Sequence, residues 1–237
     1  MAKLLRSLLP SRPAARPSVA LGEGWVRPHW LERAGGQAVA GPTNEDQRRW
    51  TVIGSVDSPH QARVDVRGLV QLDGRAWSLD WWIGAEDRWH VPAREEVSVR
   101  QSALGSTPVV ETRVRVPGGD AVQRAYAVRD AAGRDSVVVE IENDTKVPFA
   151  VALAIRPYGI DGVGGVSRVE ASGTELRVDG EVVATLTSAP RHAVASDAAR
   201  GDASSVVFSG AAGPRSASSS CPDGLATLAV LHPLAHT

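Results

Sequence analysis

The chain has 237 residues, 43% of them apolar and 22% charged, with a formal net charge of −1. A chain of this length buries enough surface to fold without a disulfide or metal staple. The near-neutral balance excludes the electrostatic footprint of a nucleic-acid or anionic-membrane binder. The single cysteine, Cys221, excludes an intramolecular disulfide and fits a reducing compartment. It sits in the loop-like stretch SASSSCPDG, with no neighbour that would activate a thiol.

The N-terminus reads MAKLLRSLLPSRPAARP. Its apolar core, Leu4–Leu9, is interrupted by Arg6 and Ser7 and stops at Pro10, short of the roughly 7–15 apolar residues of a secretory signal. No stretch reaches the roughly 18–20 apolar residues of a membrane helix. Residues 1–20 are therefore expected to be an irregular or short helical arm, and the protein cytoplasmic. Residues 21–237 are read as one β-domain.

Beyond the arm the pattern is that of strands. ARVDVRGLVQ (62–71), VSVRQSAL (97–104), VVETRVRV (109–116) and VQRAYAVR (122–129) alternate apolar and polar residues, the signature of strands with one buried face. SVVVEIEN (136–143) and VPFAVALAIRPY (147–158) are more continuously apolar and are expected to be central strands covered on both sides. VVFSGA (206–211) and LATLAVLHPL (225–234) complete the set. Turn sequences lie between them: PGGD (117–120), AAGRD (131–135), ENDTKV (142–147) and VDGE (178–181). Asp179-Gly180 is the strongest hairpin signal of these. Roughly a dozen short strands with turns between them predict an all-β fold, a large two-sheet antiparallel sandwich. The glycosylation-type triplet Asn143-Asp144-Thr145 is read as part of a hairpin turn.

Four of the seven tryptophans fall in WSLDWWIGAEDRWH, as Trp77, Trp81, Trp82 and Trp89, together with Asp80, Glu86, Asp87, Arg88 and His90. Aromatics mixed with carboxylates suit a sugar-handling surface, and equally a tight core with a polar edge. Glycoside hydrolysis needs two carboxyl groups about 5 Å or about 6.5–9.5 Å apart. Glu86 and Asp87 are adjacent and would point to opposite faces of a strand, and Asp80 would reach them only across a turn at Gly84. An ion pair of these acids with Arg88 or Arg94 is the simpler reading. Trp81 and Trp82 should face opposite ways, one into the core and one outward, as an interface or a sugar platform. His60 and His90 lack a second ligand at metal spacing, and Asp57 with His60 is read as a turn. No metal, cofactor or catalytic pair is implied.

Four segments occur in order: GSVDSPHQARVDVRGLVQ (54–71), WSLDWWIGAEDRWHVPAREE (77–96), TPVVETRVRVPGGDAVQRAY (107–126) and IENDTKVPFAVALAIRPYGIDG (141–162). Together they resemble the N-terminal region of a family of uncharacterised actinobacterial proteins. In that family a β-supersandwich precedes an (α/α)₆ barrel, as in six-hairpin glycosidases of the glucoamylase-like and glycogen-debranching-like kind. The resemblance spans roughly Gly54 to Thr237. It implies a non-catalytic sandwich that braces a helical barrel carrying the catalytic carboxylates, with an oligosaccharide as the whole protein's substrate. The alternatives are a free-standing carbohydrate-binding module and an interaction domain that docks a partner chain. The ending LATLAVLHPLAHT reads as an interruption and suggests a piece of a longer protein.

Overall fold

The computed structural model describes residues 25–26, 50–56, 58–94, 98–159, 162–197, 199–211 and 213–236. The expected arm at 1–20 lies outside these residues, as does Asp57. Eighteen strands and one short helix are described. In chain order the first strands are β1 Trp50–Gly54, β2 Gln61–Asp65, β3 Val70–Leu72, β4 Ser78–Gly84, β5 Trp89–His90 and β6 Val99–Ala103. They are followed by β7 Val110–Val116, β8 Gly119–Arg129, β9 Asp135–Asp144, β10 Phe149–Arg156, β11 Tyr158–Gly159 and β12 Gly162–Val163. The chain continues with β13 Arg168–Ser172, β14 Glu175–Val178, β15 Glu181–Thr185 and β16 His192–Ser196. The helix α1 Ala203–Phe208 precedes β17 Ala217–Ser220 and β18 Thr227–Leu234.

The protein is an all-β antiparallel sandwich, as its alternation implies. An eight-stranded sheet runs β1-β2-β3-β4-β10-β18-β16, with β5 pairing β4. Two four-stranded sheets, β6-β7-β8-β9 and β15-β14-β13-β17, make the second layer, and β11-β12 form a small ribbon. The register of the large sheet sets which side chains share a face: Leu153 lies opposite both Trp81 and Val230, and Ile155 opposite both Leu79 and Leu228. On that face Trp81, Ile83 and Val151 pack on Val114, Val116 and Ala121 of β7 and β8. Ile155, Leu228 and Val230 of the same face pack on Val169, Ala171, Leu176 and Val178 of β13 and β14. One face of the large sheet is thus covered by both smaller sheets. The other face carries Asp80, Trp82, Ala152, Ala154, Arg156 and Ala229. Trp82, Ala152, Ala154 and Ala229 meet Val26, Val91, Ala93, Ala203 and Val207, the last two on α1.

The hairpins lie where their turn residues place them. Val178 pairs with Glu181 across Asp179-Gly180, whose φ values of 51° and 88° are the left-handed geometry that this dipeptide tolerates. Asn143 and Asp144 are the last two residues of β9, paired with Ala121 and Asp120, and only Thr145 of the triplet lies in the turn. Asn143 is buried, its amide donating to the Val147 and Leu234 carbonyls at 3.0 and 3.1 Å.

Three expectations are corrected. ARVDVRGLVQ is a hairpin, β2 and β3 around a loop at 66–69, because Asp65 accepts the backbone N–H of Arg67 and Leu69 at 2.8 and 2.9 Å and reverses the chain. SVVVEIEN forms β9, which ends its sheet and is half-buried along most of its length, so it is not a central strand. VVFSGA begins inside α1, because Asp202 caps the helix by accepting from the Ser204 amide and this local bond outweighs the strand preference of two valines.

The β2–β3 loop is also what seats Trp81, whose indole N–H donates to the Arg67 carbonyl at 3.0 Å. The backbone passes close to the ring at Gly68, which has φ 88°. A Cβ there would collide with Gln123 Oε1 and stand 2.7 Å from Trp81 Nε1. Gly68→Ala is expected to destabilise the fold by more than about 1 kcal/mol, measured as a lower urea midpoint with an unchanged slope. An unchanged midpoint would contradict the packing described.

Candidate functional site

The tryptophan-rich segment builds β4, the turn at 85–88 and β5. Ala85 N–H donates to the Arg88 carbonyl at 3.1 Å, closing the turn, and Gly84 and Ile83 then pair with Trp89 and His90. Trp81 and Trp82 do point to opposite faces. Neither stands outward, however, because both faces are covered, and each indole has 0% exposure. The expectation of one outward tryptophan is therefore corrected: α1, Val26 and the 91–93 segment cover the side that would have been free. Trp77 is buried in the cluster beneath β13 and β14. Trp89 is half-buried, its ring 5.7 Å from that of Phe208, while Trp82 meets Phe208 edge-on at 5.2 Å.

Of the segment's charged residues, only Glu86, Asp87 and Arg88 are exposed. Asp87 is held by His90 Nε2 at 2.9 Å and lies 3.8 Å from Arg88 Nε. The His90 hydrogen bond holds the Asp87 carboxyl below its ordinary range. Asp80 is buried on the α1 side of the large sheet, so it does not meet Glu86 or Asp87, and no acid pair of catalytic kind forms here.

Asp80 belongs instead to a buried ionic cluster that composition and spacing did not reveal. Its carboxylate accepts the Trp81 amide at 2.9 Å and the Trp82 indole N–H at 3.1 Å. Arg156, on the neighbouring strand β10 and fully buried, places Nη1 3.6 Å from Asp80 Oδ2 and donates from Nη2 to Asp202 Oδ2 at 2.5 Å. Its guanidinium lies over the rings of Trp82 and Tyr158, at 5.3 and 4.9 Å from their centroids. Such contact offsets part of the cost of removing the charge from water. The same Nη2 donates to the Val26 carbonyl at 2.7 Å and to Tyr158 Oη at 3.0 Å. Burial pushes Asp80 upward, against the attraction of Arg156. Burial also raises Tyr158 above the ordinary phenol range. The phenol therefore stays protonated and donates to the Val26 carbonyl at 2.9 Å.

A second buried acid, Asp65, holds the β2–β3 loop. Burial pushes it up to about 7 against the lowering effect of the Arg67 and Leu69 backbone bonds. Arg67 Nη1 extends from the same loop to the Pro92 and Ala93 carbonyls at 3.2 and 2.6 Å. This tether couples the loop to the segment that follows β5.

A concavity among the described residues lies elsewhere. A cleft of about 410 Å³ is lined by Ile53, Ala62, Leu72, Val137, Val183 and Ala184, with His60, Ser55, Asp135 and Thr185 among its polar groups. His60 is exposed at its lip, and its backbone N–H donates to Ser58 Oγ, which donates in turn to Asp135 Oδ2 at 2.6 Å. The imidazole is not part of that chain of bonds, so no nucleophile–base pair forms. No group of three or more His, Cys, Asp or Glu side chains among the described residues is placed to hold a metal ion. Cys221 is a buried free thiol. No described helix is long and apolar enough to cross a membrane.

Comparison with family models, with curated proteins and with solved structures finds no match for this chain.

Two outcomes follow for the buried charges. Arg156→Met leaves Asp80 and Asp202 buried without their cation and is expected to cost about 3–5 kcal/mol of unfolding free energy. A loss below about 1 kcal/mol in urea denaturation would contradict the geometry. Asp65 gains its proton affinity on folding, so its stabilising contribution is complete below the ordinary carboxylate range and is lost as pH rises through about 7. Asp65→Asn retains the Oδ1 acceptor and removes the titration. Its stability relative to the parent should rise between about pH 4 and 7 and then level off. A difference independent of pH would refute the assignment.

Proposed function

We propose that the chain is a non-catalytic β-sandwich domain of a glycosidase-like, carbohydrate-active protein, with the task of bracing an (α/α)₆ helical barrel. The observation that carries this reading is the use to which the acids of the tryptophan segment are put. Asp80 is bonded to Trp81, Trp82 and Arg156 inside the protein, and Asp87 is bonded to His90. Glu86 is left exposed, and one acid does not make the pair that glycoside hydrolysis requires. The turn at 85–88, with Glu86, Asp87 and Arg88 beside the half-buried Trp89, is the part of the segment open to a neighbouring domain.

The alternative of a free-standing carbohydrate-binding module has less support. It needs two or three indole faces presented together, whereas Trp25, Trp77, Trp81 and Trp82 are all buried. An interaction domain docking a partner chain would use the same exposed turn and differs only in what covers it.

The purified chain, incubated at micromolar concentration with maltooligosaccharides or an aryl α-glucoside, is expected to release no product above the buffer control. Robust turnover would overturn the proposal. Glu86→Ala should leave stability within about 0.5 kcal/mol of the parent, as expected for an exposed side chain.

A further inference from the structure

The described residues that hold Trp25 and Val26 lie far from them in sequence. Val26 is held by side chains instead of a strand ladder. Its N–H donates to Asp202 Oδ2 at 3.0 Å, and its carbonyl accepts from Arg156 Nη2 at 2.7 Å and Tyr158 Oη at 2.9 Å. The Trp25 carbonyl accepts from Arg94 Nη2 at 3.3 Å. Trp25 enters the cluster with Trp77, Tyr158, Val163 and Leu225, whereas Val26 enters the one with Trp82, Ala203 and Val207. The two side chains are 4% and 1% exposed.

We infer that Arg156, Asp202 and Tyr158 form a peptide-binding site, which the chain occupies with its own Trp25–Val26 segment. The ligand class is an extended segment with an aromatic residue followed by a β-branched one. Backbone bonds give the grip, and side-chain pockets on alternate sides give the selectivity, the division of labour seen when proteins capture extended peptides. The rest of the site is preorganised. Asp202 is fixed by capping α1, Tyr158 is oriented by Arg156, and Arg156 is additionally drawn toward Asp80, which Trp82 holds. What the segment supplies is the carbonyl on which Arg156 and Tyr158 converge and an N–H that Asp202 Oδ2 accepts beside the Arg156 guanidinium. A site of this construction is separable from its ligand, because Arg156, Asp202 and Tyr158 lie 130, 176 and 132 residues away from Val26 in the chain.

The test keeps the full chain. A site-specific protease sequence is inserted between Gly35 and Gly36, the chain is cleaved, and the pieces are passed over a sizing column at micromolar concentration. The pieces are expected to co-elute. A labelled peptide of residues 20–30 should exchange into the complex, and the same peptide carrying Trp25→Ala and Val26→Gly should not. Tyr158→Phe, which removes one hydrogen bond and keeps the ring, should weaken labelled-peptide binding about two- to tenfold. Separation of the pieces with the larger one still β-structured would overturn the inference. So would unfolding of the cleaved chain, or exchange of the doubly substituted peptide as readily as the native one.

Discussion

A guanidinium with no access to water constrains how one face of the large sheet is built. Arg156 is 0% exposed and sits among Asp80, Asp202, Tyr158 and the Val26 carbonyl. A charge so placed is costly unless partners surround it, and the partners come from β4, β11, the N-cap of α1 and residue 26. Each of these elements is consequently fixed in position relative to β10. The cluster does for the second face of the large sheet what the two smaller sheets do for the first. It tells α1 and the Trp25–Val26 segment where to lie.

This gives the two faces different kinds of cohesion. The face carrying Trp81, Ile155 and Leu228 is held by apolar interdigitation with β7, β8, β13 and β14. The opposite face is built from small residues, Ala152, Ala154 and Ala229, around the large Trp82. The alanines leave room for a short helix to approach closely, and the polar cluster at the edge supplies direction that packing of alanines alone does not. The outer face of the β6–β9 sheet uses charge differently. Arg124 bridges Glu111 and Glu142, and Arg113 bridges Glu111 and Asp144. Although burial works against its ionisation, hydrogen bonds from these two arginines hold Glu111 below its ordinary range.

The all-β class and the hairpins were legible because period-2 alternation and turn residues are local properties. Asp179-Gly180 and the turns after Val116 and Arg129 could be read without knowing the rest of the chain. What covers a given face is not local. That Trp81 and Trp82 diverge followed from the pleat. That both are buried depended on α1 and Val26, which lie far away in sequence. The valines of VVFSGA suggested a strand, while the deciding feature was a single capping bond that Asp202 accepts from the Ser204 amide. Arg156 offered the one signal that pointed to the cluster, a lone arginine ending the run FAVALAIR, which requires counter-charges from elsewhere. The sequence pattern around Asp80 suggested chemistry, and its position beside that arginine gave it a structural task.

The central claim is that Trp81 and Trp82 are core, with Trp82 and Asp80 organised around a buried ion cluster. Hydrogen exchange of the Trp81 and Trp82 indole N–H groups, followed by nitrogen-15 NMR, tests it most directly. Both are predicted to exchange only through global unfolding, with opening free energies equal to that from urea denaturation and unmoved by millimolar maltooligosaccharide. Exchange within minutes under native conditions, or protection that rises when the sugar is added, would contradict the account.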